Sequence, residues 1–302
     1  MLKNLEHFVQ VLKIEKNHSA NTINSYLSDI KSFEKYLIKR KITFKKTTNE
    51  SDVVKKYFRY LSRSKISSTS IKRKYSSLSS YFSYLLDRKI IKKNPLNGIY
   101  TPKLIKKLPT VLSVEEIEKI FKQSENSDNE LLGLRDRCII ELLYSCGLRV
   151  SELCSLKINN LQFDSNVIRF FGKGNKERII PLTFYAKEWL EKYLYQSRQI
   201  LSNRKSSEQK FLFLSNNGKR LTRAAIWQSI KKYVKAAGIV KTVSPHTFRH
   251  SFATHLVDGG ANLIEIQKLL GHSDISTTEI YVHLSKEFID SEYMKAFDKK
   301  KN

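Results

Sequence analysis

Residues 166–181 read Asn166-Val-Ile-Arg-Phe-Phe-Gly-Lys-Gly-Asn-Lys-Glu-Arg-Ile-Ile-Pro181. Two β-rich runs, 166–171 and 176–181, flank Gly172-Lys173-Gly174-Asn175, and that turn chemistry predicts a hairpin with Lys173 near its tip. The strand signal decides the fold class because the chain on both sides reads as helix. Downstream, helices are predicted over about 183–198, 222–236, 247–258, 262–269 and 276–284. Upstream, a long apolar helix covers about 132–146 and stops at Gly147. Ser113-Val-Glu-Glu, an N-cap serine with acidic residues in the first turn, opens this second domain.

Before it, Pro95, Pro102 and Pro109 fall within fifteen residues, with Lys103, Lys106 and Lys107 between them. Proline breaks helices and restrains the residue before it, so 94–110 is expected to be a basic linker. Residues 1–93 contain no glycine and carry apolar residues at helical spacing: Tyr26, Ile30, Phe33 and Leu37; Val53, Tyr57, Tyr60 and Leu61; Ile71, Tyr75, Leu78, Phe82 and Leu85. Ser19 and Asn21 are candidate N-caps, and the Tyr75-Tyr81-Tyr84 stripe is read as core. The expected organisation is therefore a helical domain over 1–93, a linker over 94–110, and a mostly helical domain with a small antiparallel sheet over 111–302.

The 302 residues carry a net charge of +26, a pI near 9.8, 40% hydrophobic and 11% aromatic residues. That composition supports substantial cores and rules out a disordered chain. The charge is an electrostatic footprint for a polyanion, DNA or RNA, although a Lys-rich surface also follows from an AT-rich genome. Its distribution is more informative. Residues 1–108 hold 25 Lys+Arg against 7 Asp+Glu, hence +18, and the remainder 30 against 22, hence +8. The first third suits a domain that grips phosphates.

The start, Met1-Leu-Lys-Asn-Leu-Glu-His, is charged, and no apolar run approaches the roughly 18 residues of a membrane span. Cys138, Cys146 and Cys154 lie eight apart in what reads as one apolar helical segment, with no CxxC, as small core residues of a reducing cytoplasm.

Five of the seven histidines lie between 246 and 283. Pro245 places His246 at a helix start with Arg249 one turn on, and a helix N-terminus suits a phosphate. His272 follows Gly271, and Tyr281 comes nine residues later in Thr-Thr-Glu-Ile-Tyr-Val-His. His250 and His255 read as packed or hydrogen-bonded. His246 and His250, at i and i+4, could in principle hold zinc, but no Cys or carboxylate lies near and Arg249 would repel the ion.

Gly147-Leu-Arg149-Val-Ser-Glu152-Leu, then Gly-Lys173-Gly-Asn-Lys-Glu-Arg, then His246-x-x-Arg249-His250, then Gly-His272-Ser, then Tyr281: in this order and spacing the chain resembles the tyrosine recombinase/phage integrase family, most closely its Xer-type site-specific members. The resemblance extends over nearly the whole chain, from Asn17-His-Ser-Ala-Asn-Thr-Ile-Asn-Ser-Tyr to the C-terminal helix, with Cys146 and Phe248 as small departures. It implies a helical, SAM-like core-binding domain and a mixed α/β catalytic domain that together clamp duplex DNA. Four protomers, alike or of two kinds, would assemble on two recombination sites. A second recombinase and a DNA translocase are further partners it allows. The tail after Tyr281 resembles a segment that docks into a neighbouring protomer. Location would be cytoplasmic, at the nucleoid.

The implied chemistry has a physical logic. Attack on a phosphodiester adds charge to its non-bridging oxygens, and the planar forks of Arg149 and Arg249 can bind them, with one hydrogen bond from His272. A phenol of pKa near 10 is only about a thousandth ionised at pH 7, so nucleophilic Tyr281 needs that arginine field and a proton acceptor, His246. Lys173 would protonate the departing 5′-oxygen, and Glu152 would orient Arg149. By resemblance the bond energy is kept in a 3′-phosphotyrosine, so no cofactor, ATP or metal is expected. Chromosome or plasmid dimer resolution and integration of a mobile element are both open. A type IB topoisomerase-like enzyme and a non-enzymatic DNA-binding protein are the rival classes; the latter has no need of all six of Arg149, Lys173, His246, Arg249, His272 and Tyr281.

Overall fold

A computed structural model of the protein describes residues 4–42, 50–64, 66–99, 110–171, 177–203 and 209–262, together with 264 and 266. Packing divides the chain into two compact units, Met1–Lys107 and Leu108–Asn302.

The first unit is built from α1 (Leu5–Ile14), α2 (Ala20–Lys39), α3 (Glu50–Arg63) and α4 (Ser68–Asp87). Serines set two of the starts: Ser19 accepts from the Thr22 N–H and Ser67 from the Ser70 N–H, each at 3.2 Å. Asn21 is therefore inside α2 rather than its cap, since Ser19 already occupies the extended N-cap position. The faces spelled by the 3.6-residue spacing meet around buried Phe8, Phe33, Tyr57, Tyr81 and Phe82. Tyr81 and Tyr84 belong to that core and Tyr75 packs against it. A buried carboxylate ties the two longest helices: Asp29 on α2 accepts from Arg73 at 2.6 Å, Ser77 at 2.9 Å and Lys74 at 3.2 Å on α4. Enclosing an anion is tolerable because its oxygens are so fully satisfied.

In the second unit α5 (Val114–Glu125) begins at the expected serine. Ser113 and Glu116 cap each other reciprocally, at 2.8 and 3.3 Å. It packs on α6 (Glu130–Ser145), which starts two residues before the expected helix because the Asn129 carbonyl side chain accepts from the Leu132 N–H. The second half of α6 is buried all round, and its charges go inside as pairs, Arg135 with Asp136 and Arg137 with Glu141. Gly147, at φ 58°, ends the run in a conformation that costs glycine little. The chain then turns into a short helix, α7 (Val150–Ser155), so Cys154 belongs to a different helix from Cys138, not to one segment as its spacing suggests. All three cysteines are buried thiols outside any disulfide.

Strands β1 (Leu161–Gln162), β2 (Val167–Phe171) and β3 (Glu177–Pro181) form an antiparallel sheet in the order β1-β2-β3. Strand β2 pairs with β3 from Val167↔Pro181 to Phe171↔Glu177, the expected hairpin; the connecting residues 172–176, with Lys173, lie outside the described residues. Strand β1 has only two residues and no buried face to give it a period.

Beyond the sheet, α8 (Phe184–Lys192) passes through a π-helical turn (Tyr193–Arg198) into α9 (Gln199–Ser202), where one uninterrupted helix was expected. The wider turn brings Tyr193 and Arg198, five apart, inward together, and both donate to the Leu212 carbonyl at 3.0 Å. Then follow α10 (Arg223–Ala236) and α11 (Pro245–Asp258); α11 starts two residues before the expected helix, with Pro245 in its first turn. Residues 264 and 266 are helical, as read; the remainder of 262–269 and the helix expected over 276–284 lie outside the described residues.

Candidate active site

Arg149 is the N-cap residue of α7, where the chain leaves the turn at Gly147 in extended conformation. Three residues on, Glu152 folds back and accepts from the Arg149 backbone N–H at 2.8 Å through one carboxylate oxygen. Its other oxygen accepts from the Arg149 guanidinium at 2.9 Å. One carboxylate thus closes the first turn of the helix and fixes the arginine that begins it. The same oxygen also accepts from Arg178 on β3 at 2.5 Å.

Arg249 comes from α11, one turn after His246. It is buried, and its guanidinium donates to the Gly147 carbonyl, two residues before Arg149. Burial, and then the Arg149 and Arg178 cations against the opposing pull of Glu152, bring its pKa down to about 10. Helices α7 and α11 and strand β3 therefore bring three guanidinium groups within electrostatic reach of the Glu152 carboxylate. Guanidinium groups gathered in this way are suited to an anion with several oxygens.

His246 is exposed in the first turn of α11, where Ser244 and Thr247 close a capping box. His250, one turn further, is half-buried. The Nδ1 of His255 is 2.9 Å from the Tyr144 hydroxyl, and burial, opposed by the Leu112 backbone and by Asp258 and Glu115, lowers its pKa; this is a packed, hydrogen-bonded histidine. Lys173, His272 and Tyr281 lie outside the described residues.

The sequence reading places Arg149, Glu152, Arg249 and His246 in one site. The fold joins Arg149 to Glu152 directly and sets Arg249 within their electrostatic reach, with His246 on the same helix. Arg178, at the end of the motif around Lys173, joins the cluster without being among the residues the motifs mark for chemistry. Its signal was available: Arg178 and Ile180 alternate on one face of β3, and Ile180 is buried.

The sequence profile of the phage integrase family matches residues 110–287, and that of the phage integrase N-terminal SAM-like domain matches residues 5–89. The chain belongs to the phage integrase family. This integrase-family chain is 42% identical over 283 residues to the tyrosine recombinase XerD of Listeria monocytogenes, covering 93% of this chain and 94% of that one. The tyrosine recombinase XerD of Staphylococcus haemolyticus is 41% identical over 289 residues, 96% of each chain. Among solved structures, the XerH site-specific recombinase bound to a palindromic difH substrate, in a post-cleavage complex, is 25% identical. The match reaches a TM-score of 0.69 over 96% of this chain and 84% of XerH. The integrase-family chain is accordingly a tyrosine recombinase, an enzyme that cleaves and rejoins DNA, with the SAM-like and catalytic domain folds the motifs implied. No helix among the described residues is long and apolar enough to cross a membrane.

Proposed function

We propose that this integrase-family recombinase joins DNA strands at defined sites through a 3′-phosphotyrosine on Tyr281, in the resolution of chromosome or plasmid dimers. The observation that carries the reading is the arginine cluster. Arg149, at the start of α7, and Arg249, one turn into α11, bind the non-bridging oxygens of the scissile phosphate, and His272 adds a hydrogen bond. Glu152 keeps the Arg149 fork in place.

The Tyr281 oxygen attacks phosphorus and loses its proton to His246, while the 5′-oxygen leaves with a proton from Lys173. A 5′-hydroxyl from the partner duplex then attacks the phosphotyrosine and restores Tyr281. One phosphodiester is exchanged for another, so the cycle consumes no ATP, and the fixed cations take the place of a metal. The basic domain over 1–93 grips DNA, joined by the linker over 94–110 to the catalytic domain over 111–302. Assembly is a tetramer on two sites, of one recombinase or two, with a DNA translocase as a candidate regulator; the work is done in the cytoplasm, at the nucleoid.

The test is covalent adduct formation on a nicked suicide substrate taken from the native genome. Tyr281→Phe should lose the adduct while binding DNA as the wild type does, and the wild type should form it in excess EDTA. An adduct in the Phe variant would mean another nucleophile, and loss on chelation would move the reaction to a metal-dependent class.

A further inference from the structure

The reach of Arg178 into the cluster has a consequence beyond the residues whose chemistry the motifs imply. A carboxylate beside a single guanidinium forms a two-bond fork that neutralises it. Were Glu152 to face Arg149 alone, the arginine's charge would be spent within the protein rather than on a phosphate. Arg178 prevents this by competing for the same oxygen: Glu152 Oε1 accepts from Arg149 at 2.9 Å and from Arg178 at 2.5 Å. Arg149 and Arg178 thus share one carboxylate oxygen, and Arg249 lies within reach of the same carboxylate's charge. The exposures separate the roles. The side chain of Arg149 is 37% exposed and that of Arg178 16%, so Arg149 is the more accessible of the two to a phosphate. Strand pairing also makes Arg178 a firm anchor, since its Cα lies in register with Phe170 of β2.

We propose that Arg178 is a positioning residue of the recombinase: it takes up part of the hydrogen-bonding of Glu152 and so holds the Arg149 fork oriented for the scissile phosphate. The proposal rests on the reading of Arg149 as a phosphate-binding group. It gives Arg178 no contact with DNA, which sets the form of the test.

The experiment is single-turnover cleavage of the suicide substrate by the full chain, at increasing DNA concentration, with rates taken per folded protein from circular dichroism. Arg178→Ala should slow cleavage at saturating DNA by about 10- to 100-fold, the cost of misplacing a binding group, with the half-saturating concentration shifted less than about threefold. Arg178→Lys, which keeps the charge but not the fork, should recover part of that rate. Arg178→Ala combined with Glu152→Gln should be no slower than Arg178→Ala alone, because both changes act through one carboxylate. A wild-type rate for Arg178→Ala, a loss confined to DNA affinity, no recovery with Lys, or multiplying losses in the double variant would each overturn the proposal. Arg149→Ala, run alongside, keeps the two readings apart. If it cleaves at the wild-type rate, the phosphate-binding role of Arg149 is wrong and the positioning role falls with it; if it is slow while Arg178→Ala is fast, only the positioning role falls.

Discussion

Arg249 carries a full charge where burial and two neighbouring arginines oppose it, which is why its pKa comes down to about 10. At pH 7 it is protonated folded or unfolded. A cation whose folded pKa lies below its unfolded one opposes folding throughout neutral pH, and that opposition fades only as pH rises through about 10 and beyond. Arg249→Gln removes the charge and keeps an amide donor. In the absence of DNA its melting temperature should stand at or above that of the wild type, while cleavage falls by about 10²–10³. A melting temperature several degrees lower would show that the hydrogen bond to Gly147 outweighs the repulsion. Lys173 is separable from the arginines by leaving group. General acid help is worth about 10²–10⁴ for a 5′-alkoxide, whereas a 5′-thiolate leaves without a proton. Lys173→Ala should therefore cleave DNA with bridging sulfur at nearly the wild-type rate and normal DNA very slowly, and Arg149→Ala should be slow on both. Sulfur that rescues neither variant, or both equally, would remove Lys173 as the acid. At this scale the Arg149–Glu152 pair was legible as an i, i+3 spacing. Arg178, twenty-six residues beyond Glu152, is brought to it only by strand pairing.

Helix starts shape this protein at the level of elements. The α5 start was readable from Ser113 and the acidic residues after it, and it acquires a contact no local pattern contains: Lys241, at 2.6 Å from Glu116. Partial burial raises the Glu116 pKa, but Lys241 and the Ser113 backbone outweigh it and the net shift is downward. A carboxylate with a depressed folded pKa stabilises above its unfolded value and loses that contribution as pH falls through the folded one. Glu116→Gln should therefore lower the melting temperature near pH 7 and converge with the wild type in strong acid, followed by thermal melts across pH. A constant difference at every pH would assign the effect to packing. The π-helical turn at Tyr193–Arg198 was not readable, because its cause is the Leu212 carbonyl arriving from a later segment.

Over the whole molecule, the +18 carried by residues 1–108 belongs to the unit whose core is made by four helices, and the +8 of the remainder to the unit holding the arginine cluster. The tail from about residue 286 lies outside the described residues, and its resemblance to a segment exchanged between protomers makes a prediction. Its removal should weaken cooperative assembly on paired sites, read by band shift, more than binding to one half-site. Equal loss in both would place the tail in the monomer's own core.

The helical first domain, the hairpin, the helix starts at Ser19 and Ser113, and the family are legible in the sequence alone. These depend on signals within a few residues, or on five motifs in a fixed order. The widening of the helix at Tyr193 and the sharing of Glu152 by Arg149 and Arg178 follow only from the tertiary fold. Each comes from groups distant in the chain meeting to satisfy a buried carbonyl or balance a charge, and short-range periodicity carries no record of such meetings.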